Sequence, residues 1–223
     1  MDKIVIFDLD GTLVDSVRDL VPALNRTTAL DGLPPISIDH VGAIVGKGAL
    51  KMIERAFAFH NRPLHPARQK ELLAHFLETY EAHIADETVY FDGCLKALDD
   101  LASSGWGLAV CTNKYAHLAQ KLLETIGGRE RLAALTGGDS FGVKKPDPFH
   151  IMETARLAGC NPDRAIMVGD SINDIEAARR APMPSIAVDF GYTDIPVADL
   201  GADIIISHFD ELPAAVGKLE NRF

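Results

Sequence analysis

Residues 3–13 read Lys-Ile-Val-Ile-Phe-Asp-Leu-Asp-Gly-Thr-Leu. The apolar run Ile4-Val5-Ile6-Phe7 ends in two carboxylates one residue apart, Asp8 and Asp10, followed at once by Gly11 and Thr12. An unbroken apolar run of this length predicts a strand buried on both faces, as in the middle of a parallel sheet. Carboxylates at the end of such a strand must find partners or be neutralised, because an unpaired buried charge is costly. Those partners have to come from elsewhere in the chain.

Further short apolar runs lie at 108–111, 165–168, 186–188 and 204–206, with a weaker one at 132–135. Helical patterns separate them. Leu95, Leu98 and Leu101 form one stripe, Leu118, Leu122 and Ile126 a second ahead of Gly127-Gly128, and Ile151, Ala155 and Ala158 a third ahead of Gly159. This alternation predicts an α/β fold with a doubly wound parallel sheet. Between the first and second strands lie roughly a hundred residues, far more than one crossover helix needs. Helical stripes fill the stretch: Leu20, Val21, Leu24 and Thr28; then Ala49, Met52, Ile53, Ala56 and Phe57; then Leu72, Leu73, Phe76, Leu77, Tyr80 and Ile84. Residues 15–85 are therefore expected to form an inserted all-helical cap, and 1–14 with 86–223 the α/β core.

The 223 residues carry a formal net charge of -10, with 47% hydrophobic and 24% charged residues. That balance suits a soluble globular protein and argues against a nucleic-acid partner, since no basic stripe is present to neutralise a polymer of phosphates. No apolar segment approaches membrane-spanning length and no signal-peptide pattern opens the chain, so a cytoplasmic location is expected. Cys94, Cys111 and Cys160 read as reduced core thiols rather than a disulfide frame. His60 and His65 read as loop residues rather than a zinc pair. Monomer and homodimer both stay open.

In open parallel sheets, ligands bind beyond the carboxyl ends of the strands. Four such places carry polar residues here: Asp8 to Thr12, Thr112-Asn113-Lys114, Lys144-Lys145-Pro146-Asp147-Pro148, and Gly169-Asp170-Ser171-Ile172-Asn173-Asp174. Each alone has an ordinary explanation as a turn, a helix cap or an exposed pair. Their joint placement at the ends of one sheet is not explained that way. In this order they resemble the four motifs of the haloacid dehalogenase superfamily of phosphatases, and the match spans almost the whole chain.

The resemblance implies a Mg²⁺-dependent phosphatase acting on a small-molecule phosphate ester. Asp8 would be the nucleophile that becomes an aspartyl phosphate, and Asp10 the acid and then the base. Asp8, Asp170 and the Asp10 main-chain carbonyl would hold the metal. Thr112, Asn113 and Lys145 would bind the transferring phosphoryl group, and Asp174 would support Lys145 or a metal-bound water. The chemistry is reasonable in itself: a carboxylate approaching a phosphate dianion faces repulsion of roughly 4 kcal/mol per pair of unit charges at 4 Å, so cations must be built in. Mg²⁺ prefers hard oxygen donors of the kind Asp8 and Asp170 offer. The acid at Asp10 favours phosphoryl transfer over dehalogenation, which needs no such group.

In the expected cap, Val45-Gly46-Lys47-Gly48 resembles the cap loop of the phosphoglycolate phosphatase subgroup, and Thr112-Asn113-Lys114 is similar to that subgroup as well. The resemblance implies that Gly46, Lys47 and Gly48 close over a carboxylate-bearing substrate such as 2-phosphoglycolate. Other sugar phosphates, nucleotides and pyrophosphate, a phosphomutase, and a phosphate-binding regulator remain alternatives. Tyr115 in place of a common proline, and Phe91-Asp92-Gly93 in place of a proline-glycine entry to the core, mark a divergent member.

Overall fold

The computed structural model describes residues 2–46 and 48–223, so the expectation for Lys47 lies outside the described residues. The apolar run after Lys3 forms strand β1 (Ile4–Phe7), and all four of its residues are fully buried. It pairs in parallel with β4 (Gly107–Cys111) on one side and β6 (Ala165–Gly169) on the other. With β5 (Ala134–Thr136), β7 (Ser185–Val188) and β8 (Ile204–Ile206), these strands make a parallel six-stranded sheet in the order β5-β4-β1-β6-β7-β8.

Alternation along β1 explains why the run contains no polar residue. Val5 and Phe7 point into the larger core, with Leu98 and Leu101 of α4 (Cys94–Ser103), Leu118 and Leu122 of α5 (Ala116–Ile126) and Leu212 and Val216 of α8 (Leu212–Glu220). Ile4 and Ile6 point the other way, against Ile151 and Ala155 of α6 (Pro148–Leu157) and Ala177 and Ala178 of α7 (Ile172–Arg180). Helices on both faces leave the central strands no wet side.

Between β1 and α4 the chain leaves the sheet through β2 (Val14–Asp15) and returns through β3 (Val89–Tyr90), which pair antiparallel as a two-residue ribbon. Between them lie α1 (Val17–Thr28), α2 (Ala49–Phe59) and α3 (Pro66–Ala82), which pack on one another as a helical cap. The buried carboxylate of Asp19 in α1 clasps the returning strand, accepting from the Glu87 N–H at 3.1 Å, the Thr88 N–H at 2.9 Å and the Thr88 hydroxyl at 2.6 Å. The apolar stripes of the cap and the core merge into one cluster.

Several sequence expectations need correction. The weak run at 132–135 is displaced: Leu132 follows a 3-10 turn, and the strand covers Ala134–Thr136. Leu95 does not join the buried stripe of α4; Cys94, Ala97, Leu98 and Leu101 do, because the face that packs on the sheet is centred on these residues and leaves Leu95 at its edge. His65 caps α3 by accepting from the Ala67 N–H. The cysteines, as expected, are buried and unpaired. Among the described residues, no helix is long and apolar enough to cross a membrane.

Candidate active site

β1, β4 and β6 are adjacent, so the residues just past their carboxyl ends share one rim of the sheet. Asp8 leaves β1 with its N–H donated to the Val168 carbonyl of β6 at 2.9 Å, which continues the ladder one residue and places the carboxylate at the rim of the sheet. The chain then turns at Gly11. Its φ of 83° lies in the left-handed region, and a Cβ there would collide with the Asp170 carboxylate and the Tyr192 ring. Glycine is required because the turn of the first motif is packed directly against the acidic loop after β6.

At the floor of the site Lys145 reaches in from the loop before α6. Its side chain is 1% exposed, and its Nζ lies 2.8 Å from Asp8 Oδ1 and 2.6 Å from Asp174 Oδ1. The other Asp174 oxygen accepts from the Ser171 N–H at 3.0 Å and hydroxyl at 2.7 Å, forming the capping box of α7. Both Asp174 oxygens are thus engaged by the protein. Asp170 accepts from the Tyr192 N–H at 2.6 Å and from the Thr12 hydroxyl at 3.3 Å. Thr112 Oγ1 accepts from the Lys114 N–H, and the Asn113 side-chain amide donates to the Lys145 carbonyl at 3.0 Å, tying β4's end to the lysine loop.

Three buried carboxylates, Asp8, Asp170 and Asp174, place oxygens within 4.8 Å of one another around the single ammonium of Lys145. The electrostatics register the imbalance. Burial, with Asp174 adding to it and Lys145 opposing it, raises the Asp8 carboxyl from 3.8 to about 6. Burial and the charges of Asp174 and Asp8 push Asp170 well above the usual carboxylate range. Burial works against the Lys145 ammonium, but Asp174 and Asp8 outweigh it and hold the lysine more firmly charged than usual. A site of hard oxygen donors that lacks positive charge is chemically suited to a divalent cation. Asp8 and Asp170 are the candidate side-chain ligands.

Asp10 points to a different set of partners. Ser16 donates to its Oδ1 at 2.6 Å, and the Lys114 ammonium lies 2.8 and 3.0 Å from its two oxygens. Lys114 also donates to the Tyr80 hydroxyl of α3 at 2.7 Å, so a cap residue is linked to Asp10. Burial, reinforced by Asp10 and Asp19, pushes the Tyr80 phenol well above its ordinary pKa. Above these groups lies a cleft of about 490 Å³, lined by Asp8, Asp10, Thr112 and Asn113 on the core side and by Gly46, Gly48, Met52 and Phe76 on the cap side. Asn173, at the start of α7, donates to the Gly46 carbonyl at 3.1 Å and holds the cap loop down.

The structure therefore brings Asp8, Asp10, Thr112, Asn113, Lys145, Asp170 and Asp174 to one place, with Gly46 and Gly48 across the cleft. Sequence reasoning missed four contributors. In the sequence Lys114 is no more than the last residue of its motif, and Tyr80 one more member of the apolar α3 stripe. Asn173 carried no signal beyond its place in the acidic motif. Tyr192, whose N–H reaches Asp170 and whose hydroxyl bonds Asp15 in the ribbon, follows Gly191 with no signal at all.

Comparison with known proteins agrees with this geometry. A family model described as haloacid dehalogenase-like hydrolase matches residues 5–188. A phosphoglycolate phosphatase of Agrobacterium fabrum is 47% identical over 223 residues, covering 100% of this chain and 96% of that protein. One of Caulobacter vibrioides is 42% identical, covering 95% and 89%. Among solved structures, a predicted phosphoglycolate phosphatase from Haemophilus somnus superposes with a TM-score of 0.88 at 29% identity, covering 96% of this chain and 97% of that one. A β-phosphoglucomutase from Clostridium difficile reaches 0.82 at 18% identity, covering 100% and 98%, which is a likeness of fold alone.

Proposed function

Because the chain belongs to the haloacid dehalogenase-like hydrolases, we propose that it is a cytoplasmic phosphatase that hydrolyses a small phosphomonoester, 2-phosphoglycolate before others, through an aspartyl phosphate on Asp8. The observation that carries this reading is the placement of one buried carboxylate, Asp8, between the Lys145 ammonium and the Asp170 carboxylate at the foot of a cleft roofed by the cap. Residues 15–85 would move as the cap over a core of 1–14 and 86–223.

In the first step an Asp8 oxygen bonds to phosphorus while the ester P–O bond breaks, and Asp10 gives its proton to the departing alkoxide. In the second, Asp10 takes a proton from water as the water oxygen bonds to phosphorus, and the Asp8 oxygen leaves with the bonding electrons. Lys145 holds Asp8 in place and offsets charge on the phosphoryl oxygens, which the Thr112 hydroxyl and the Asn113 N–H would also bind. Asp8, Asp170 and the Asp10 carbonyl would hold Mg²⁺, which supplies positive charge where the phosphoryl group accumulates negative charge. The 2-phosphoglycolate preference rests on the names of the relatives and on the Gly46 to Gly48 loop.

Initial rates for 2-phosphoglycolate, hexose phosphates, nucleotides and pyrophosphate, with Mg²⁺ and then with EDTA, test the reading. Release of phosphate from 2-phosphoglycolate that stops in EDTA and returns with Mg²⁺ is expected. Turnover of none of these compounds would overturn the assignment.

The acid role has its own test. Asp10→Ala is expected to slow an alkyl phosphate by about 10²- to 10⁴-fold. In the first step alone, followed as single-turnover release of the alcohol, a p-nitrophenyl ester, whose leaving group departs without a proton, should suffer far less. Equal losses on both esters would remove Asp10 from that role.

A pH experiment follows from Asp8. Its folded value of about 6 lies above the ordinary 3.8, so across that window the folded chain binds more protons than the unfolded one. Stability of the metal-free protein should therefore fall as pH rises from about 4 to about 6. Bound Mg²⁺ needs Asp8 ionised, so the Mg²⁺-induced rise in Tm should be small at about pH 5 and large at about pH 7.5. Thermal melts in Mg²⁺ and EDTA across this range check it, and a pH-independent difference would contradict it.

A further inference from the structure

Among the described residues lining the cleft, Lys114 alone carries a positive charge. Asp8 already has Lys145 beneath it, so the nucleophile does not need a second lysine. The Lys114 side chain is nevertheless 5% exposed and held by contacts on every side: both Asp10 oxygens, the Tyr80 oxygen, and the face of the Tyr80 ring at 4.4 Å. Burying a flexible ammonium is expensive unless it is paired, and Asp10 supplies that pairing here.

Tyr80 is built to hold still. Its ring stacks on Phe76 at 5.9 Å with planes 7° apart, and its hydroxyl oxygen accepts from Lys114. The hydroxyl's own proton has no acceptor among the described residues, although Tyr80 borders the cleft. Two donors thus meet at one spot, the ammonium and the phenol proton. The apolar part of the wall, Leu20, Val45, Met52, Phe76 and Leu118, offers an anion nothing.

Substrate geometry points to the same spot. Asp10 has to touch the ester oxygen in order to protonate it. In a phosphomonoester whose ester carbon bears a carboxylate, that carboxylate carbon is two bonds from the ester oxygen. A group held against Asp10 is therefore within reach of the carboxylate.

We propose that Lys114 and Tyr80 form the receptor for a second anionic group on the substrate, a carboxylate beside the phosphate ester, with the Lys114 ammonium and the Tyr80 hydroxyl proton as its donors. The proposal rests on the reading that a small phosphomonoester is the substrate. In the empty site Lys114 neutralises Asp10; with substrate bound it is shared with the carboxylate. A substrate lacking the second anion leaves the ammonium on the acid.

The test compares wild type with Lys114→Met, Lys114→Gln, Tyr80→Phe and Lys47→Ala. Two esters are used, 2-phosphoglycolate and ethyl phosphate, whose leaving alkoxides need a proton equally but differ in the carboxylate. Competitive inhibition by 3-phosphonopropionate and by propylphosphonate separates binding from proton transfer, and melts in Mg²⁺ establish that each variant is folded. Wild type should favour 2-phosphoglycolate. Both Lys114 variants should lose about 30-fold in kcat/KM on it, mainly through KM, with a matching loss for 3-phosphonopropionate. Ethyl phosphate and propylphosphonate, whose losses report only what Lys114 does for Asp10, should lose at least tenfold less, so that the preference for the carboxylate-bearing compounds collapses. Tyr80→Phe should show a smaller loss of the same pattern. Equal losses on the two esters would mean that Lys114 only positions Asp10, and would overturn the proposal. So would selectivity that survives in the Lys114 variants and disappears in Lys47→Ala. A wild type indifferent to the carboxylate would sink the 2-phosphoglycolate reading itself, and this inference with it.

Discussion

Asp8→Asn is expected to lower turnover by about 10⁴- to 10⁶-fold while leaving the protein folded. An amide nitrogen or oxygen at this position cannot form the acyl phosphate, and no other carboxylate stands where Asp8 does: both Asp174 oxygens are engaged by Lys145 and Ser171, and Asp10 faces Ser16 and Lys114. The fold has no reason to suffer. Asparagine has nearly the same shape, Lys145 keeps Asp174 at 2.6 Å, and one of three crowded carboxylates is gone. In EDTA the variant should therefore melt no lower than wild type, and its gain from Mg²⁺ should shrink because a ligand has lost its charge. Initial rates on 2-phosphoglycolate and an aryl phosphate, beside melts in EDTA and Mg²⁺, read all three quantities. Wild-type rates in the variant would remove Asp8 as nucleophile. Inactive wild type and variant together would instead favour a phosphate-binding protein without turnover.

Lys145→Met should damage both stability and activity. Methionine fills much of the lysine's volume with an unbranched chain, so packing is largely kept and the charge is what is lost. Asp8, Asp170 and Asp174 then remain buried together with no ammonium between them. Removing one partner of a buried ion pair costs about 3–5 kcal/mol. For a chain of this size that is a fall in Tm of about 10 °C. The sign of the pH dependence follows from the same charges. Without Lys145 the carboxylates hold protons to higher pH in the folded state than in the unfolded one, so stability falls as pH rises. The variant should lie nearest wild type at about pH 5 and furthest from it at about pH 8. Lys145→Arg is not expected to rescue it, because a side chain that is 1% exposed leaves no room for a guanidinium. Melts across pH and rates on 2-phosphoglycolate check the prediction. A Lys145→Met protein as stable as wild type at every pH would show that the ammonium does not balance this cluster.

The parts of the molecule legible in the sequence were those governed by local rules. Ile4 to Phe7 read as a two-face-buried strand because a central parallel strand admits no polar residue, and the helical stripes showed because one side of each helix is wet. Edges were harder. The strand at Ala134–Thr136 is short and lies at the sheet's margin, so the apolar run beside it, anchored by Leu132 in a turn, gave a misplaced signal. Leu95 misled for a related reason: leucine spacing fits more than one face of a helix, and only the packing of α4 on the sheet selects Cys94 and Ala97 over it.

By itself the sequence determined that Asp8 and Asp10 stand at the end of a buried strand, that three other polar motifs stand at comparable places, and that a helical stretch interrupts the core. Each of these depends on residues close together in the chain, where periodicity and turn chemistry leave a direct record. Tertiary structure alone decided what those groups meet. Lys145 lies between Asp8 and Asp174, Tyr192 joins Asp170 to the ribbon beneath the cap, and Tyr80 and Lys114 converge on Asp10. Such contacts join positions up to 177 residues apart. No local pattern encodes them, because the strand order that makes β4, β1 and β6 neighbours, and the packing that lowers α3 onto the rim, exist only once the sheet has formed.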